Sequence, residues 1–314
     1  MYHFIINPKS QSGNSAFVWH RIKKILIERN IDFEVHATKR ANQATELARA
    51  LTENGEEKTL IVIGGDGFLN EVINGICFPE KMTLGYIPSG SGNDFARSLN
   101  IPKNSEKALD IILNSHETID CNIGYTIFGE NKRKFIVSSG IGFDAAVCYG
   151  VDKSRLKPIL NKVKLGKLVY MMVALKEVFF RPTHVLTATF DNGETKEFTK
   201  CLFAVSMNLP YEGGGYKFCP NAICNDGYLD VMIVNNVSPF NFLYMMPFAF
   251  SGKHIRFNTI HQFRCKQATY TLEDSAHMHT DGEAINGQNK ITTGLEEQTI
   301  RIITGGNTNE DRIQ

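Results

Sequence analysis

Apolar residues come in short runs along the first third of the chain, alternating with stretches where they recur every three or four positions. HFIIN (3–7), DFEVHAT (32–38), TLIVIGG (59–65) and LGYIP (84–88) read as strands, with β-branched and aromatic residues held between turn residues. SAFVWHRIKKILIERN (15–30), NQATELARALTEN (42–54), LNEVINGI (69–76), NDFARSL (93–99) and SEKALDIILNS (105–115) carry helical spacing. Asn42 is the expected N-cap of the second helix. This alternation predicts an α/β domain over residues 1–120, built on a mostly parallel sheet with helices on both faces.

Beyond residue 120 the period changes. THVLTATFDNGETKEFTKCLFAVSM (183–207) alternates like two paired strands around an Asp-Asn-Gly turn. GYLDVMIV (227–234), QATYTLE (267–273), HMHTDGE (277–283) and QTIRIIT (298–304) continue the pattern. A β-rich second domain over 121–304 is expected, with the tail 305–314 returning to the first. The stretch 153–181 is both basic and apolar, which fits a core helix with a solvated lysine face or a membrane-surface segment.

Composition narrows the setting. A net charge of +1 argues against a nucleic-acid partner, and no apolar run approaches the roughly 20 residues that span a bilayer. The chain opens straight into a strand pattern, without a signal-peptide layout. Seven cysteines, an odd number with no CxxC pair, read as buried thiols in a reducing compartment, so a cytoplasmic location is expected.

The chemistry concentrates in the turns. GGDG (64–67) follows a buried strand and opens a helix, where glycines allow close backbone approach and free N–H groups suit phosphate. Asp66 would repel phosphate unless a cation lay between them, so it is either magnesium-linked or an ordinary turn carboxylate. PSGSGNDFARSL (88–99) repeats the arrangement, with Asn93 or Asp94 available as a helix cap. Two such loops after consecutive strands would lie together at the carboxyl edge of the sheet. NPKSQSGNS (7–15) is a third polar turn. In the second half, Asp226-Gly227 offers a cation site or a hairpin turn, and Asp281-Gly282-Glu283 ends a strand with a carboxylate suited to general-base work. His277 and His279 share a strand face, as a metal pair or as packing.

In order along the chain, GGDGFLNEVINGI, PSGSGNDFAR, NDGYLDV and TDGE resemble the catalytic family of diacylglycerol kinases, specifically the bacterial lipid kinases. The likeness runs over nearly the whole chain. It implies an N-terminal nucleotide-binding domain like that of NAD kinases and a C-terminal β-sandwich for lipid. It also implies ATP and Mg²⁺, with transfer of the γ-phosphate to the hydroxyl of diacylglycerol or a related lipid alcohol. By position, the resemblance assigns ATP contacts to Asn7, Pro8, Lys9, Ser10, Thr38, Gly64, Gly65, Asp66, Gly67, Phe68, Leu69, Asn70 and Ser91. Asp66 and Asp94 become the magnesium-organising carboxylates and Glu283 the base. A structural cation is implied at Asp226 with the carbonyls of Ile223 and Tyr228. Phe68 stands where relatives usually carry threonine, and Ser91 keeps a hydroxyl where many have threonine.

A lipid acceptor implies transient contact with a peripheral membrane surface, for which 153–181 and NFLYMMPFAF (241–250) are the candidates. Edge strands of the β-rich domain offer a route to a homodimer. The competing readings are a kinase of a soluble alcohol, in the manner of NAD kinase, and a non-catalytic lipid- or nucleotide-binding regulator of the same fold.

Overall fold

The structure, a computed structural model, describes residues 1–8, 14–154, 166–180 and 182–305. It divides into two compact units, Met1–Ile123 with Glu297–Gln314, and Gly124–Glu296.

The first unit contains β1 (Tyr2–Ile6), α1 (Asn14–Glu28), β2 (Phe33–Ala37), α2 (Gln43–Thr52), β3 (Lys58–Gly64), α3 (Asp66–Gly75), β4 (Met82–Pro88), α4 (Asp94–Ser98) and α5 (Ser105–Asn114). Leu60 to Ile63 are completely buried, which explains why β3 reads as a continuous apolar run rather than an alternating one. β1 pairs in parallel with β2 and β3, and β3 with β4. Ile6 stands opposite both Ala37 and Ile63, and Gly64 opposite Pro88, so the carboxyl ends of all four strands finish along one edge. α2 and α3 approach closely because residue 75 is glycine; a Cβ there would lie 2.2 Å from the Thr45 carbonyl oxygen. Asn42 is left-handed (φ 60°) and makes no side-chain cap, whereas Asn104 caps α5 through Glu106 N and Lys107 N.

The second unit begins within β5 (Thr118–Phe128) and ends within β13 (Glu283–Ile303). Between them come β6 (Asn131–Phe135), β7 (Ser138–Gly142), α6 (Phe143–Lys153), α7 (Gly166–Phe180), β8 (His184–Phe190) and β9 (Thr195–Met207). β10 (Leu229–Asn235), α8 (Pro239–Ala249), β11 (Ile260–Cys265) and β12 (Gln267–Thr280) complete it. β9 pairs antiparallel with β7, β8 and β10, and β12 with β7, β8 and β13. The period of two sorts side chains into two cores. Ala204, Val231 and Ile233 join Tyr270, Met278 and Ile291, while Phe203, Val205, Met232 and Val234 join Phe143 and Phe242.

One boundary differs from the sequence expectation. Residues 298–304 belong with the first unit, because Arg301 and Ile302 pair in parallel with Thr83 and Leu84 of β4. The expected return of 305–314 lies outside the described residues from 306 onward. Among the described residues, no helix is long and apolar enough to cross a membrane.

Candidate functional site

In the first unit, the two glycine loops meet backbone to backbone. A Cβ on Gly90 would lie 2.5 Å from Gly65 Cα, and one on Gly65 would lie 3.1 Å from Gly90 Cα. Ser89 N donates to Gly64 O at 2.8 Å, and the buried Tyr86 hydroxyl donates to the same carbonyl at 3.0 Å. Burial, and then the charges of Asp66 and Asp94, push the Tyr86 pKa well above its usual value, so it stays a donor. The first turn of α1 joins through Ser15, whose hydroxyl lies 2.7 Å from that of Ser89.

Asp66 reaches across from the first loop to the second. Its Oδ2 accepts from Asp94 N at 3.1 Å and its Oδ1 from Phe95 N at 3.2 Å. The carboxylate therefore caps α4 from 28 residues upstream, the role that Asn93 or Asp94 was expected to fill. Asn93 instead adopts a left-handed conformation (φ 53°) and closes its own loop, accepting from Gly90 N and donating to Gly90 O. Asp94 is buried and pairs with Arg97, which also donates to Gly92 O.

Other nucleotide candidates gather along the same strand edge. Thr38, at the end of β2, is buried and binds Ile6 O through its N–H (2.9 Å) and its hydroxyl (3.3 Å), beside the half-buried Asn7 and Pro8. Ser91 is exposed. Phe68 is buried and folds back over Gly64, where a Cβ would come within 2.4 Å of its ring. Leu69 and Asn70 are completely buried, which makes them parts of the α3 seat rather than of an open surface. Lys9 and Ser10 lie outside the described residues.

Hard cations take oxygen donors, and Asp66 and Asp94 are the carboxylates at the loop junction; Asp66 is engaged by two amides, and a cation there would share Asp94 with Arg97. The turn at Asp226 does not fit a resident cation. Asp226 Oδ2 accepts from Arg264 Nη2 at 2.6 Å, Oδ1 accepts from Tyr228 N at 2.9 Å, and the guanidinium also sits over the Tyr228 ring. A guanidinium thus supplies the positive charge that the family resemblance assigned to a metal on Asp226, Ile223 and Tyr228.

In the second unit, Glu283 is exposed and opens β13, paired with Thr280 at the end of β12. Between them Asp281 (φ 48°) and Gly282 (φ 82°) form the turn. Asp281 is buried and accepts three backbone hydrogen bonds, from Ile136 N (2.9 Å), Val137 N (2.8 Å) and Ser138 N (2.9 Å). His279 is completely buried, and its Nε2 faces Asp144 Oδ2 at 2.9 Å and Glu212 Oε1 at 3.2 Å. Burial pulls the imidazole pKa down, but Glu212 and Asp144 outweigh it and raise it to about 9. The Gly282 N–H, which donates to Nδ1 at 3.3 Å, favours the neutral ring instead. His277 does not join His279 in a metal pair; its ring stacks on Tyr149 at 4.3 Å.

Sequence patterning missed Asp144 and Glu212. Asp144 opens α6, Glu212 sits on a loop of three positive-φ glycines, and His279 lies on β12, so only folding brings them together. Gly140 makes room for this cluster, since a Cβ there would fall 2.1 Å from Asp144 Oδ2.

Comparison with known proteins places both units. Residues 1–123 match the diacylglycerol kinase catalytic domain, and residues 136–304 match the YegS C-terminal NAD kinase beta sandwich-like domain. A diacylglycerol kinase of Staphylococcus carnosus (strain TM300) is 32% identical over 89% of this chain and 87% of its own. The fold is shared with a diacylglycerol kinase from Bacillus anthracis str. Sterne (TM-score 0.69, 21% identity, 97% of this chain and 96% of that one). It is shared more distantly with an NAD kinase from Archaeoglobus fulgidus in complex with ATP (TM-score 0.54, 12% identity, 100% and 97%). With both units matched in order, and a relative this similar over most of both chains, the protein is a kinase that belongs to the diacylglycerol kinase family.

Proposed function

We propose that this kinase transfers the γ-phosphate of ATP to the hydroxyl of diacylglycerol or a closely related lipid alcohol. The observation that carries the reading is the junction of the two glycine loops, where Asp66 bonds to the amides of Asp94 and Phe95 at the carboxyl edge of the sheet. Phosphoryl transfer asks a protein mainly for positioning and charge. Asn7, Thr38, Gly64 to Gly67 and Ser91 stand along that edge to seat the nucleotide. Magnesium, when bound, neutralises charge on the phosphates, and Asp66 and Asp94 are the residues that would organise it. Glu283, an exposed carboxylate on a tightly held turn, is assigned the base that takes the proton of the lipid hydroxyl. The lipid acceptor is favoured by the relatives named diacylglycerol kinase.

A bilayer-borne acceptor needs a surface that meets lipid, and α7 with α8 supplies the candidate. Both helices are apolar nearly all round, yet Phe180, Phe240 and Tyr244 stay 81%, 74% and 64% exposed. Phe179 and Phe240 bring the helices together through an edge contact at 5.5 Å. The sequence from 153 to 176 carries seven lysines and arginines and no acid, which complements an anionic bilayer.

The test is transfer of labelled γ-phosphate from ATP with Mg²⁺ to a panel of lipid alcohols in mixed micelles, for wild type and Glu283→Gln. Transfer to diacylglycerol that drops by about 10² to 10⁴ in the variant supports the reading. Transfer to NAD alone, or to no acceptor, would sink it.

A further inference from the structure

A base on a turn works only if the turn points it. Glu283 is the first residue after two consecutive left-handed positions, Asp281 and Gly282, and a side chain in the left-handed region is rarely adopted without support. The support comes from two directions. Asp281 fastens the near side of the turn to the amides of Ile136, Val137 and Ser138. The middle of the turn, the peptide between Asp281 and Gly282, is held at the Gly282 amide by Nδ1 of His279.

We infer that His279, oriented by Asp144 and Glu212, is a positioning residue that fixes the Gly282 amide and thereby the direction of Glu283. The inference rests on the reading of Glu283 as the base.

The chemistry of the ring gives the arrangement its sense. Nδ1 accepts from Gly282 only when it carries no proton, so the ring hydrogen belongs on Nε2. Asp144 Oδ2 at 2.9 Å and Glu212 Oε1 at 3.2 Å are the acceptors for that hydrogen; their charges also draw the ring toward the imidazolium, and the Gly282 bond to Nδ1 opposes that second proton. The carboxylates come from α6 and from the glycine-rich loop, so three separate segments converge on one imidazole. Asp144 is itself held by the Ala145 amide at 2.7 Å. Gly140, opposite His279 on β7, leaves the space that the Asp144 and His279 atoms fill. The same tautomer argues against a metal on Nε2, whose lone pair is then taken by the proton. A buried polar chain therefore runs from Asp144 through the ring to the Gly282 amide, one residue from Glu283.

Two substitutions separate this role from simple packing. His279→Asn sets an amide oxygen near the Nδ1 position and retains an acceptor for Gly282. His279→Gln extends its amide toward the Nε2 position and leaves Gly282 without one. His279→Gln keeps a polar group among the carboxylates, whereas His279→Asn keeps only the Gly282 acceptor and leaves Asp144 and Glu212 without the ring donor. In the mixed-micelle assay, His279→Asn should hold kcat within about threefold of wild type, and His279→Gln should lose about 10- to 100-fold, with KM for ATP unchanged in both. Hydrogen exchange at the Gly282 amide, which needs no activity, should be slow in wild type and His279→Asn and fast in His279→Gln.

Equal kcat and equal Gly282 exchange in the two variants, with Glu283→Gln inactive, would overturn the inference alone. Undiminished transfer by Glu283→Gln would overturn the base reading and this inference with it.

Discussion

Gly65 and Gly90 touch backbone to backbone, although 25 residues and a whole helix–strand passage separate them. The contact ties the loop after β3 to the loop after β4, leaving no room for a side chain on Gly90 and little on Gly65. Gly90 is the tighter position, since its Cβ would also fall 2.8 Å from Asn93 Oδ1. Gly90→Ala should push the loops apart, weaken ATP binding at least tenfold and cost about 1–3 kcal/mol, in the range for overpacking a well-packed site. Titration calorimetry with ATP and urea denaturation of the same variant read both effects; a variant that binds ATP like wild type would show that loop spacing does not shape the site.

The Asp66 carboxylate closes the same junction by capping α4, so it has a structural duty apart from any cation it organises. Removing it leaves the amides of Asp94 and Phe95 without their acceptor. Asp66→Ala should destabilise the protein by about 1–2 kcal/mol, as for loss of a helix cap, measured by urea denaturation without nucleotide or magnesium. Stability equal to wild type would assign Asp66 to nucleotide chemistry alone.

The strands and helices of the first unit were legible because their apolar spacing reports burial, and β3 and α3 bury the residues that spacing selects. The two loops were legible as candidate sites because glycine pairs stand beside carboxylates. What spacing does not report is which amide a carboxylate finds. Asp66 was readable as a local cap or a cation ligand, yet its partners lie on the next loop. Asp226 looked like a cation ligand until β11 brought Arg264 against it, paired across the strands from Asp230. Asp144 and Glu212 carried no local signal, because a hydrogen bond between segments more than 60 residues apart leaves no period in either.

Asp230 gives stability a dependence on pH. Burial, and then the neighbouring charge of Asp226, raise its pKa to about 6, with Arg264 opposing. The folded protein therefore holds this proton up to about pH 6, whereas the unfolded chain releases it near pH 4. Between these values the folded state binds more protons, so stability falls as pH rises and then levels off. With allowance for the partial exposure of Asp230, the loss should be about 1–2 kcal/mol. Asp230→Asn should flatten that slope in denaturation curves taken from pH 4 to 7; an unchanged slope would assign it to another group.

The aromatic face of α7 and α8 should bind anionic bilayers. Each exposed phenylalanine that enters the interface gains about 1–3 kcal/mol from apolar burial, and the basic stretch before it adds about 1 kcal/mol for each cation close to anionic headgroups. Phe180→Glu with Phe240→Glu should lower partitioning onto phosphatidylglycerol–phosphatidylcholine vesicles by about tenfold or more, read by flotation. Raising the salt should weaken wild-type binding through screening of the same lysines. Transfer to a short-chain acceptor dispersed in water should be unchanged, because neither phenylalanine belongs to the loop junction or to the Glu283 turn. Light scattering supplies the opposing result. A wild-type mass of two chains that falls to one in the double variant, with vesicle binding intact, would make this face the interface of a homodimer instead.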